Sequence, residues 1–110
     1  MNIKEWLKQA KKEDYWCVGK GWSQILITLC DKIITINDTI EVMQVKEKFG
    51  GLRFYIGNIH NRFDEIYVLI DKAVEESFKT CESCGTKRNV TTSGGWLRTL
   101  CKKCRKEKTC

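Results

Sequence analysis

The chain predicts an α+β fold of order ααββα, closed at its C-terminal end by a four-cysteine zinc module. Three observations carry that expectation. Apolar residues recur with helical period over three stretches, a period of two interrupts them between Thr39 and Ile56, and two Cys-x-x-Cys pairs follow, Cys81/Cys84 and Cys101/Cys104. With 110 residues, the expected division is a helical and β-hairpin domain over 1–80 and a docked metal module over 81–110.

The first helix is expected from Asn2, with Glu5 completing a capping box. Ile3, Trp6, Leu7 and Ala10 share one face, and Lys4, Lys8, Lys11 and Lys12 lie off it. It should stop around Asp14–Cys17, before Gly19-Lys20-Gly21. Ser23 is placed to cap a second helix, in which Trp22, Ile25, Leu26, Leu29, Ile33 and Ile36 share a face that Ile27 and Ile34 widen. Asn37-Asp38 marks its exit.

From Thr39 the alternation predicts a strand with Ile40, Val42 and Gln44 on one side and Glu41, Met43 and Val45 on the other. Gly50-Gly51 is expected to supply the positive φ angles of a hairpin turn, and Leu52, Phe54 and Ile56 alternate on the return. Asn58–Asn61 reads as a loop. A third helix then carries Phe63, Ile66, Tyr67, Ile70, Ala73, Val74 and Phe78 on one side and runs into Cys81 without a Pro/Gly/Ser-rich linker.

Two Cys-x-x-Cys pairs separated by sixteen residues fit a tetrahedral four-thiolate site holding one structural Zn²⁺. Val90-Thr91-Thr92 and Trp96–Leu100 read as the strands of a small hairpin between them, giving a zinc ribbon or a treble-clef-like knuckle. Neither pair sits in the βαβ context of a redox motif. No leader-like stretch, lipidation signal or membrane-length apolar run is apparent, so a reducing, cytoplasmic setting is expected.

The formal charge of +6 is concentrated. Residues 81–110 hold eight bases against Glu82 and Glu107, and the rest of the chain balances. Four thiolates on Zn²⁺ offset part of this, and the remainder suits a polyanion or an acidic protein surface. In the first hairpin, Lys46, Lys48, Phe49, Arg53 and Tyr55 interleave cations with aromatics, as single-stranded nucleic-acid platforms do. The bland alternative has Phe49 and Phe54 filling core and the lysines keeping an edge strand soluble. Lys46, Lys48, Arg53 and Tyr55, with Arg98, Lys102, Lys103 and Arg105 of the metal module, are the expected partner-binding surface. Trp96, after two glycines, reads as a lid on the zinc knuckle. Cys17 and Cys30 read as small core residues, Cys110 as a free terminal thiol and His60 as a surface residue. One histidine cannot furnish the base and metal ligands that a nuclease of the HNH kind needs, and no nucleotide or hydrolase motif occurs, so no enzyme is expected.

Gly21-Trp22, the run Val45–Tyr55 containing KFGGLRFY, Gly94-Gly95-Trp96 and Thr99-Leu100-Cys101 together resemble a family of small phage and prophage proteins whose hallmark is that octapeptide. The resemblance spans roughly residues 17–104. It implies zinc-binding cysteines and a mobile-element origin, but no reaction. The expectation that follows is a non-enzymatic accessory protein that docks on a host protein or nucleoprotein complex, one that handles nucleic acid or defends against phage, and blocks or redirects it. The alternative is a regulator that binds DNA or RNA directly.

Overall fold

The computed structural model describes residues 1–59 and 63–107, with no side-chain description for Phe63 and Glu107. His60, Arg62, Lys108 and Cys110 therefore lie outside the described residues. Among the described residues, four α-helices and two small antiparallel hairpins occur, in the order α1 (Ile3–Glu13), α2 (Ser23–Ile36), β1 (Glu41–Lys48), β2 (Gly51–Gly57), α3 (Phe63–Ser77), β3 (Val90–Ser93), β4 (Arg98–Cys101) and α4 (Lys102–Glu107).

Asn2 opens α1 by accepting a 2.8 Å hydrogen bond from the Lys4 backbone N–H, which satisfies one of the helix's orphan donors. Ile3, Leu7 and Ala10 are buried as their spacing dictates, and Asp14 ends the helix in the left-handed conformation. The second helix begins differently from the expectation. A 3-10 turn over Lys20–Trp22 precedes it, and Ser23 is its first helical residue with no side-chain cap. The tertiary structure explains this. Trp22 is fully buried, and its indole N–H donates to the Thr80 carbonyl at 2.8 Å, a pairing that a buried indole requires.

The β1–β2 hairpin corrects the expected alternation. Ile40, Val42 and Val45 are buried, whereas Met43 and Gln44 are exposed, because the register shifts between Val42 and Gln44. That bulge places Met43 as an extra residue and returns Val45 to the core face opposite Phe54. The turn also differs. Its positive φ angles fall on Phe49 (56°) and Gly50 (84°), flanked by the Lys48–Gly51 pair. At Gly51 a Cβ would lie 2.3 Å from the Phe78 ring, so any side chain there would have to displace that ring.

The main core lies between the three long helices and the inner face of this hairpin, centred on Trp22, Leu26, Ile33, Leu52 and Ile66. Trp6 packs edge-on against Phe54 and Trp16 at its rim. A second, smaller cluster is formed by Cys81, Leu100, Cys101 and Cys104 with Val90 against it. Among the described residues, no helix is long and apolar enough to cross a membrane.

A candidate metal centre and the hairpin beside it

The four cysteines converge. Their sulfurs all lie within 4.8 Å of one another, and the Cys84 and Cys101 sulfurs are 3.7 Å apart. A tetrahedral ion with metal–sulfur bonds of ~2.3 Å requires sulfur–sulfur edges of ~3.8 Å, so this donor set fits such a metal. All four are free thiols. Cys81 precedes a tight turn and Cys101 closes β4, while Cys104 lies in the first turn of α4. Each pair builds the same local device. The Cys84 N–H points at the Cys81 sulfur at 3.5 Å, and the Cys104 N–H at the Cys101 sulfur at 3.4 Å.

These donors set the protonation of the cluster. Burial works against a thiolate at Cys81, but backbone N–H groups of Cys84, Cys101 and Ser83 prevail and hold its thiol down to about 6. Cys104 is pushed up to about 12, first by its hydrogen bond with Cys101 and then by burial. Without a cation, Cys81 gives up its proton before Cys104, and a bound divalent ion would take the place of thiol protons. Cys30, in contrast, is raised to about 12 by burial in the main core and is an inert packing residue.

The first cysteine pair is held by the chain on both sides. The Gly21 N–H donates to Glu82 O at 3.0 Å, and a Cβ on Gly21 would lie 2.0 Å from the Cys81 carbonyl oxygen. Only glycine permits that approach. The buried Glu82 carboxylate accepts from the Arg98 guanidinium at 2.5 and 2.8 Å and from the Thr99 N–H at 3.2 Å. A buried carboxylate needs this company. Lys87 forms an ion pair with Glu76, tying this segment to α3.

The two hairpins touch. Thr99 is fully buried, and its hydroxyl donates to Gly50 O at 2.5 Å while sharing a 2.6 Å hydrogen bond with the Thr92 hydroxyl. The β1–β2 turn thus rests against the β3–β4 ladder, across the Thr92–Thr99 pair.

The sequence-predicted surface residues separate into two groups. Lys46, Lys48, Tyr55, Lys102 and Lys103 are exposed or half-exposed, with the Lys46 ammonium 5.9 Å from the Tyr55 ring centre. Arg53 stands across the ladder from Lys46 and is half-buried. Arg98 and Arg105 turn inward: Arg98 neutralises Glu82, and Arg105 donates to the carbonyls of Ser93, Thr91 and Arg98. Charge counting could not foresee this use of two guanidinium groups inside the fold.

Three aromatic and thiol expectations are corrected. Phe54 fills core, but Phe49 is 63 % exposed, with the Lys48 ammonium 5.4 Å from its ring centre. Trp96 is 82 % exposed in the loop between β3 and β4, so it does not cover the cysteine cluster. Cys17 is exposed, with a φ of 63°. The glycines before Trp96 were the available signal that its loop projects.

No family model, no curated protein and no solved structure matches this chain.

Proposed function

We propose that the four cysteines hold one structural Zn²⁺ in a treble-clef-like module, and that the protein acts by docking on a macromolecule. The donor set supports zinc, since four thiolates suit a soft-to-borderline ion and fill its coordination sphere, leaving no position for water or substrate. A short helix carrying the last ligand favours the treble-clef form over the ribbon. The single observation that carries the docking role is the exposure of Phe49 and Trp96 on two turns of hairpins that are bonded to each other. Large exposed aromatics beside lysines are what an interface centre uses. Phe49 is held there at a positive φ that disfavours any residue with a Cβ, and such strain clusters at functional positions.

Lys46, Lys48, Arg53 and Tyr55 with Phe49 form one part of the docking surface; Lys102, Lys103 and Trp96 form the other. The resemblance to phage proteins supports a host target that handles nucleic acid or defends against phage, blocked or redirected by occupancy. The test is capture from host extract by tagged protein, compared with Phe49→Ala and Trp96→Ala variants, alongside metal analysis. One zinc per chain and a specific protein lost from both variants is expected. Equal capture by the variants would overturn the surface.

Direct binding of single-stranded nucleic acid is the second reading, favoured by the two lysine–aromatic pairs. Anisotropy with labelled single strands at two salt concentrations separates the readings. Phosphate binding weakens log-linearly as salt rises, and a protein interface with an apolar centre weakens far less.

A further inference from the structure

Beside the segment that follows the first cysteine pair, α2 and α3 flank an open cleft of about 370 Å³ that neither reading above uses. Its floor is apolar, made by Ile25 and Leu29 from α2 and by Leu69 and Ala73 from α3. Lys32 and Lys72 stand on its two walls, and neither has an ion-pair partner among the described residues. The one carboxylate in the lining, Glu76, is already paired with Lys87. The cleft therefore presents greasy walls under two uncompensated cations.

We infer that this cleft is a binding site for a small amphipathic anion: one carboxylate, sulfonate or phosphate on a hydrocarbon or aromatic body. The volume lies in the lower range of small-molecule sites, which run from ~300 to 1,000 Å³. Complementarity fixes the ligand class. An apolar body displaces water from the Ile25–Leu69 floor, and a negative head compensates the Lys32 and Lys72 charges that no free carboxylate of the lining offsets. Asp31 and Asp71 adjoin these lysines in sequence but do not line the cleft. Thr28 on α2, whose hydroxyl accepts from the Gln24 amide, keeps its own O–H to donate to the head group. Because Gly85 and Lys87 also line it, an occupant touches α2, α3 and the segment that carries the first two cysteines. The site is independent of the docking surface on the hairpins.

The probe is anilinonaphthalene sulfonate, titrated into the zinc-loaded full chain by fluorescence, with decanoate and decanol as competitors. Amide chemical shifts locate it. Saturable binding at one site is expected, with shifts centred on Thr28, Leu29, Leu69 and Ala73 and displacement by decanoate but not by decanol. The double variant Lys32→Glu/Lys72→Glu should bind about tenfold more weakly or worse, whereas Lys8→Glu/Lys12→Glu, with the same change in net charge on exposed positions of α1, should bind as the native chain does. Thr28→Trp, which fills the cleft from an exposed position, should abolish binding and provides a test that does not depend on charge reversal. Shifts centred elsewhere, equal competition by decanol, or equal loss in the α1 control would each overturn the inference.

Discussion

At the scale of single residues, Phe49 is constrained by its backbone angle and Gly21 by the space around it. Phe49 lies in the left-handed region at φ 56°, ahead of Gly50 at 84°. A two-residue hairpin turn with both φ angles positive prefers Asn-Gly. Replacing Phe49→Asn should therefore raise stability by about 1 kcal/mol, read as a melting temperature higher by about 4 °C, while capture of the partner falls. A variant that is no more stable would show that Phe49 is not strained. Gly21 is constrained by space instead of by angle. With the Cys81 carbonyl 2.0 Å from the position of a Cβ, Gly21→Ala must push the first cysteine pair away from α2. Overpacking of this kind costs about 1–3 kcal/mol, and here the loss should appear as faster zinc transfer to a chelator as well as a lower melting temperature. Unchanged zinc retention would mean that the knuckle is not braced by this loop.

At the scale of elements, the helices were legible because their signal is repeated. Ile3, Leu7 and Ala10, or Leu26, Leu29 and Ile33, state the same face several times, and the buried set follows them. The β1–β2 hairpin was legible as a hairpin but not in its register. One additional residue at Met43 moves Val45 from the outer face to the core, and nothing in the local alternation announces a bulge. The start of α2 was missed for a tertiary reason, the demand of the Trp22 indole for Thr80 O. The cysteine module was legible from four letters and two spacings, since metal coordination depends on few atoms. Its other cohesion is slight. Besides the cysteines, its packed cluster holds only Leu100 with Val90 against it among the described residues, and α4 has only 6 residues, well short of the ~12–15 at which an isolated helix is even marginal. Stripping the metal with a strong chelator should therefore erase amide protection across residues 81–107 and leave it intact in α2 and β2, whose core is separate. Uniform loss of protection throughout the chain would show one cooperative unit. Full retention would show that the sulfur cluster needs no ion.

At the scale of the whole molecule, Trp22 to Thr80 O anchors the chain just before the cysteine module, and the Lys87–Glu76 pair, Gly21 to Glu82 O and Thr99 to Gly50 O join that module to the first core. The last is the bond that aligns the two exposed turns, and pairwise contacts between distant turns leave no trace in a single sequence. It also yields the sharpest test of whether those turns act together. Thr99→Val keeps the shape of the side chain and removes its hydroxyl, leaving Gly50 O without its 2.5 Å donor in a buried place. That should cost about 1–3 kcal/mol, yet the cysteines are untouched, so the variant should still hold one zinc. If Phe49 and Trp96 form one surface only because Thr99 holds the turn against the ladder, capture of the partner should fall in Thr99→Val nearly as far as in Phe49→Ala. The decisive comparison is the double variant Thr99→Val/Trp96→Ala. Losses smaller than the sum of the single effects are expected where two changes break one shared contact area. Strictly additive losses, or full capture by Thr99→Val at unchanged zinc content, would mean that each hairpin meets its partner alone, and the alignment by Thr99 would then serve stability only.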